Sequence, residues 1–159
     1  MKSKGMNPDD GHREELFATF SRDGQPLGLR RRSEVHRLGL WHKSAQVFVF
    51  DDAGRLLLQQ RVPHKDLYAD LWDYSVGEHL QPEETFIAGA QRGLQEELSI
   101  VPREELQPLG GLRWVEHVSS THADREIQQA FRCRYDGDVV LDPLEVAQVR
   151  YIDMAELAL

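Results

Sequence analysis

Glu96 and Glu97 stand side by side in the stretch AQRGLQEEL, and Arg92 precedes Glu96 by four residues. On a helix that spacing puts Arg92 and Glu96 on one face. Two chemistries fit the pattern. One is a solvated acidic face with an i,i+4 ion pair, worth about 0.3–0.5 kcal/mol. The other is a site for a hard divalent cation, because Mg²⁺ takes oxygen ligands and often sits between a few carboxylates and substrate phosphates. Spacing alone leaves both open. Gly93 interrupts the same run, and a glycine inside a helix costs roughly 1 kcal/mol against alanine. A side chain at position 93 would share a face with Glu96 and Glu97, so the glycine leaves that part of the face bare.

The elements that must position these residues can be read from periodicity. Phe86, Ile87, Ala90, Leu94 and Leu98 recur at three- and four-residue spacings, which predicts an amphipathic helix over about residues 85–98. Glu83 and Glu84 fall at its start, where negative charge suits the helix dipole. Upstream, FATFSRDGQPLG reads as two short strands around a turn at Asp23-Gly24. AQVFVF-DDAG-RLLLQQR is the clearest hairpin, and LWDYSV reads as one further strand. LGGLRWVEHV, EIQQAFRCRYDG and EVAQVRYID give three more, before MAELAL begins a helix that stops early. That short helix fits either a shortened chain or packing against a second subunit, so a homodimer is one expectation. The order of elements predicts an α/β fold with a mixed sheet and helices packed on it, not a regular βαβ alternation.

Composition limits the function classes. A chain of 159 residues suits one domain, with 40% hydrophobic and 29% charged residues. Its formal net charge of -8 argues against binding nucleic-acid polymers, which requires neutralising phosphates with Lys and Arg. A small phosphorylated ligand remains compatible, because local charge governs there. Cys133 is the single cysteine, so no internal disulfide forms and a reducing, cytoplasmic setting is the default expectation. No apolar run approaches the roughly 20 residues of a membrane span. Residues 1–15 are polar and lack a signal-peptide core. They are expected to form a flexible tail ahead of one domain over 16–159.

From Glu78 to Ile100 the chain resembles the signature of the Nudix family of diphosphate hydrolases. That signature runs Gly, five residues, Glu, seven residues, then Arg-Glu-apolar-any-Glu-Glu-any-Gly-apolar. Glu84, Arg92, Leu94, Glu96, Glu97 and Ile100 match it in uninterrupted register. Three positions depart: Glu78 stands for the first Gly, Gly93 for the first Glu of the helix trio, and Ser99 for the last Gly. The resemblance implies an α/β/α sandwich with a mixed sheet over residues 16–159. It also implies Mg²⁺ or Mn²⁺ held by Glu84, Glu96 and Glu97, with Arg92 orienting the carboxylates. The implied activity is metal-dependent cleavage of the phosphoanhydride in a small diphosphate compound, such as a nucleoside diphosphate linked to another group. Such an ion neutralises charge developing on phosphoryl oxygens and lowers the pKa of bound water.

The flanking sequence, from DGQPLGLRRR through LWDYSVGEH to ADREIQQAF, is similar to isopentenyl-diphosphate isomerase, a branch built on the same fold. By that resemblance His36, His42, His79, Asp124 and Glu126 match a metal-binding set, and Arg32, Arg61 and Lys65 match contacts to the diphosphate. Glu97 matches a helix acid that contributes to a second cation. Mixed imidazole and carboxylate ligands favour a transition metal over Mg²⁺. Glu126 is a candidate for the metal shell or for a catalytic base. The isomerase carries a catalytic cysteine two residues before its third histidine, and Gly77 stands there instead. Carbon–carbon double-bond migration needs a proton donor and acceptor on opposite faces of the substrate, so hydrolysis is the expected reaction. An isomerase-like enzyme and a non-catalytic diphosphate- or nucleotide-binding module are the alternatives. Trp72, Trp114 and Tyr68 are candidates to stack on a base.

Overall fold

A computed structural model describes residues 14–65 and 68–157. All of the expected tail except Glu14 and Glu15 therefore lies outside the described residues, as do the last two residues of MAELAL. Glu14 and Glu15 are tied to the fold. The Ser33 N–H donates to the Glu14 carboxylate at 2.6 Å, and the Arg32 N–H donates to the Glu15 carbonyl at 2.9 Å. Folded structure thus begins no later than Glu14.

The strands are β1 (Leu16–Phe20), β2 (Pro26–Arg31), β3 (Trp41–Phe50), β4 (Leu56–Arg61), β5 (Trp72–Asp73) and β6 (Val76–His79), continuing with β7 (Gln107–Pro108), β8 (Arg113–Val118), β9 (Ala123–Arg134) and β10 (Val146–Ile152). Three helices, α1 (Arg32–Leu38), α2 (Phe86–Leu98) and α3 (Met154–Leu157), accompany them. All ten strands join one mixed sheet, in agreement with the α/β class. β3 lies at its centre. It runs parallel to β9 from Trp41↔Arg125 to Phe50↔Arg134 and antiparallel to β6 from Ser44↔His79 to Val47↔Val76. No helix among the described residues is long and apolar enough to cross a membrane.

Two sequence expectations need correction. β3 and β4 do turn sharply at Asp51–Arg55, where Asp51 accepts from the Arg55 N–H at 2.8 Å, but they share a single pair, Phe50↔Leu56. Beyond the turn they splay, because β6 takes the edge of β3 while β4 pairs with β10 and β5. LWDYSV is accordingly two strands, with Ser75 at the crossing. The Ser75 hydroxyl donates to the Leu57 carbonyl of β4 at 2.6 Å and accepts from the Val49 N–H of β3 at 2.8 Å. One buried side chain thus supplies the ladder bonds that the splayed strands cannot make to each other. Helix α1, in a segment that reads as a basic run, is the element that periodicity did not reveal.

The period of two along β3 separates two jobs. Ala45, Val47 and Val49 enter the core with Ala90, Leu94 and Leu98 of α2. Their alternates, Ser44, Gln46 and Phe48, line a cavity. Helix α2 starts at the expected place, with Thr85 accepting from the Ala88 N–H at 3.2 Å. It ends on Ser99 in the left-handed region, φ 54, with the Ile100 N–H bonded to the Leu94 carbonyl at 3.0 Å. This is the position where the signature has glycine, the residue that adopts such a backbone without strain. The helix approaches β6 most closely at Gly93. A Cβ there would meet Val76 Cγ1 at 2.8 Å and Glu78 Cβ at 3.0 Å, so the glycine is required by packing.

Candidate active site and metal centre

Strand register assembles the histidines and acids. The parallel ladder sets His42 of β3 beside Glu126 of β9, and the antiparallel ladder sets Ser44 beside His79 of β6. Asp124 lies two residues before Glu126 and so faces the same side. Helix α1 brings His36 over this face, its ring centroid 5.4 Å from His42 and 5.8 Å from His79. Phe17 stacks on His42, with centroids 5.3 Å apart and planes inclined by 11°. Ligand atoms of His36, His42 and His79 lie within 4.8 Å of one another, as do those of His42, Asp124 and Glu126. Among the described residues no other His, Cys, Asp or Glu group reaches this density.

The cluster has the chemistry of a cation site. His42 Nδ1 donates to the Leu40 carbonyl at 3.0 Å; a carbonyl can only accept, so Nδ1 carries the hydrogen and Nε2 keeps its lone pair. Burial, reinforced by His79, holds the His42 pKa down at about 3, so the ring is neutral at physiological pH. His42 Nε2 and Asp124 Oδ1 are both buried with no hydrogen-bond partner, and they face each other at 3.8 Å. That is too long for a hydrogen bond. Two ligands each about 2.1 Å from one ion would stand roughly 3–4 Å apart, so a divalent cation fits between them.

Glu126 is prepared as an anion. Burial opposes its charge, but His79 Nε2 at 3.3 Å, the Gln128 amide at 2.6 Å and the Ser44 hydroxyl at 2.7 Å outweigh that and hold the carboxyl well below its usual range. Burial and the neighbouring Glu126 charge push Asp124 the other way, up. Ser44 and Gln128 were missed at the sequence level. Alternation along β3 and β9 from His42 and Glu126 is the signal that points to both.

The helix carboxylates form a second group. Arg92 donates to Glu84 through Nε at 2.9 Å and Nη2 at 3.0 Å, and to the His79 carbonyl at 2.8 Å. Its Nη1 lies 3.3 Å from Glu96 and 3.3 Å from Glu78. Arg92 therefore bridges Glu78, Glu84 and Glu96. Glu84, whose oxygens are engaged by Arg92 and by the Gln81 N–H, comes to neither ligand cluster. It stands immediately before the Thr85 cap, ahead of the first turn. Glu97 is only 7% exposed and accepts from the Gln59 amide at 3.0 Å. Burial, then the nearby Glu78, pushes its pKa up to about 8. Burial likewise raises Glu78 to about 7, against the pull of Arg92.

Two cavities meet at this wall. One, about 510 Å³, is lined by His79, Asp124, Glu126 and Gly77 together with Tyr68, Trp72 and Tyr74. The other, about 470 Å³, is lined by Glu78, Glu96, Glu97, Lys65 and Glu145. Arg32, Arg61, Gly77, Glu78 and His79 border both, and Lys65 is ion-paired with Glu145. Trp114 instead packs edge-on against Trp41 at 5.0 Å. A Cβ on Gly77 would sit 3.0 Å from the Tyr74 hydroxyl and ring edge. Cys133 is buried in the core among apolar residues, its thiol pushed up to about 11 by burial.

The NUDIX domain model matches residues 40–159. An isopentenyl-diphosphate Delta-isomerase of Burkholderia multivorans is 34% identical over 144 residues, covering 91% of this chain and 81% of that protein. The crystal structure of DR0079 from Deinococcus radiodurans superposes with a TM-score of 0.66 at 18% identity, covering 91% of this chain and 89% of the other. The NUDIX domain of Shewanella oneidensis NrtR, crystallised with ADP ribose, gives a TM-score of 0.55 at 17% identity, over 72% of this chain and 74% of that one. A family match across three-quarters of the fold, joined to isomerase relatives along nearly the whole chain, settles its kinship: this protein belongs to the Nudix superfamily, in the isopentenyl-diphosphate isomerase branch.

Proposed function

We propose that this protein is a metal-dependent hydrolase that cleaves the phosphoanhydride of a small diphosphate compound. One observation carries the reading. A buried, pre-shaped ligand cluster of His36, His42, His79, Asp124 and Glu126 opens on a cavity where Gly77 replaces the isomerase's cysteine and Tyr74 occupies the space beside it. The residues fit a divalent cation with mixed nitrogen and oxygen ligands, Mn²⁺ or Mg²⁺ in this family. Bound there, the ion would offset charge developing on the phosphoryl oxygens and acidify a coordinated water.

The chain's own groups supply the rest. Arg32 and Arg61, bordering both cavities, and Lys65 at the mouth of the second, neutralise and align the diphosphate. Glu126, held strongly acidic by its donors, acts as a ligand and not as a proton acceptor, because so weak a base takes up little proton near neutrality. Glu97 and Glu96 face the diphosphate from α2. Tyr68 and Trp72 at the first cavity offer stacking surfaces for the organic half of the substrate, which favours a nucleoside diphosphate derivative. In the reaction water oxygen bonds to phosphorus, the P–O anhydride bond breaks, the leaving phosphate keeps the bond's electron pair, and the proton lost by the water passes to solvent.

The isomerase reading draws on the intact ligand set and the 34% identical relative. It lacks the cysteine, and a Cβ at the substituted position would press on the Tyr74 ring at 3.0 Å. The two separate cleanly in one experiment. Purified protein with Mn²⁺ or Mg²⁺ is expected to release phosphate or a phosphomonoester from nucleoside diphosphate compounds. With isopentenyl diphosphate in deuterated water it is expected to incorporate no deuterium. Deuterium incorporation with no hydrolysis across the panel would overturn the proposal.

A further inference from the structure

Gly77 stands where the isomerase has its cysteine, and a side chain from a neighbouring turn reaches the gap it leaves. Gly77 of β6 pairs directly with Gln46 of β3, and both border the cavity of about 510 Å³. A Cβ on Gly77 would lie 3.0 Å from the Tyr74 hydroxyl and 3.0 Å from the edge of its ring. The phenol therefore presents its hydroxyl close to where a cysteine side chain would begin.

Tyr74 is held in that place. Its backbone N–H donates to Asp73 Oδ1 at 2.8 Å, and its ring leans on Phe48, with centroids 5.4 Å apart and planes inclined by 37°. The Gln46 amide is the hydroxyl's neighbour in the protein. Gln46 is itself oriented by chemistry. The single Ser44 hydrogen goes to Glu126 at 2.7 Å, so Gln46 must turn its Nε2 to donate to Ser44 Oγ, at 2.8 Å. A line of polar groups thus runs along the wall from the ligand cluster to Tyr74. Burial, then the charges of Asp73 and Glu126, raises the Tyr74 pKa, so the hydroxyl keeps its proton and can donate. Tyr74 lines the first cavity alone, with Tyr68 and Trp72, whereas Arg32 and Arg61 border both. It therefore faces the organic half of a bound diphosphate compound and not the phosphates.

We infer that Tyr74 is a specificity residue whose hydroxyl bonds a hydroxyl group on that organic half, so that the pocket takes a sugar-like diphosphate derivative where an isopentenyl-diphosphate isomerase takes a hydrocarbon. A hydrocarbon seated here would strip water from the phenol, the Gln46 amide and the Asp73 carboxylate and return no hydrogen bond. A hydroxylated group returns it. The gap at Gly77 thus removes a proton-transfer group and admits a fixed hydrogen-bond donor.

This inference rests on the proposed diphosphate chemistry, but it is read by binding. ADP and dideoxy-ADP share the base and the diphosphate and differ in the ribose hydroxyls. With Mn²⁺ present, calorimetry should show wild type preferring ADP by about tenfold, the scale of leaving a buried polar group unpaired. Tyr74→Phe keeps the ring and its packing on Phe48. It should bind ADP about tenfold more weakly, dideoxy-ADP as wild type does, and isopentenyl diphosphate no more weakly than wild type. Equal affinity of wild type for ADP and dideoxy-ADP would overturn the inference. So would a Tyr74→Phe variant that keeps the preference, or one that weakens both nucleotides alike. Failure of the hydrolase reading would show separately, as absent phosphate release from a wild type that still prefers ADP.

Discussion

Ser44 Oγ donates to Glu126 Oε2 at 2.7 Å across 82 residues of sequence. The hydroxyl can reach it because β3 and β9 run parallel in one register, and it fixes the carboxylate as an anion in the orientation that faces His42. Outer hydrogen bonds of this kind are worth roughly 10–100-fold in metal affinity. Ser44→Ala is therefore expected to weaken Mn²⁺ at the histidine cluster by about that factor, read by calorimetry, and to lower hydrolysis with it. An affinity equal to wild type would show that Glu126 needs no such orientation.

Introducing the missing cysteine should not create an isomerase. Gly77→Cys places a Cβ 3.0 Å from Tyr74, a contact that the ring must relieve by moving. The variant should melt earlier than wild type and still incorporate no deuterium into isopentenyl diphosphate. Trimming the ring as well, in Tyr74→Ala/Gly77→Cys, should recover part of the lost stability. A gain of exchange activity in the single variant would mean that the space beside Tyr74 is not what separates the two chemistries.

Glu97 gives the metal-free protein a pH signature. Its pKa is raised by burial to about 8, so from the ordinary carboxylate range up to about 8 the folded protein binds more protons at this group than the unfolded chain does. Stability contributed by this group is then fully present at low pH and falls as pH rises through that window. Glu97→Gln removes the effect. Its melting temperature relative to wild type, without metal, should climb between about pH 5 and about pH 9. A constant difference across that range would contradict the raised pKa.

Arg92 joins four groups that are far apart in sequence or sterically crowded: Glu84, Glu78, Glu96 and the His79 carbonyl. Arg92→Ala strands carboxylates at a half-buried junction and removes the donor that fixes the His79 backbone. A loss of about 3 kcal/mol in unfolding free energy is expected, measured by urea denaturation, together with weaker Mn²⁺ binding. Arg92→Lys should restore little, because one ammonium cannot reproduce the forked geometry. Full recovery by lysine would reduce the junction to simple charge balance.

The sequence by itself determined α2 and the turn after Asp51, because each is written in contacts between residues a few positions apart. It also carried the Nudix spacing and the identities of the histidines and acids. It did not reveal α1, whose short basic segment shows no apolar period, nor the splaying of β3 from β4, which depends on where β6 inserts. Long-range register is the reason the rest stayed hidden. Only the paired ladders decide that His42 meets Glu126 and that Ser44 and Gln128 brace it, while Glu84 turns away onto Arg92. Gly93 is the sharpest case. In the sequence it reads as a ligand lost from a helix; packed against β6, it is the gap that Val76 and Glu78 fill, because a glycine's missing side chain is visible only as the space a neighbour occupies.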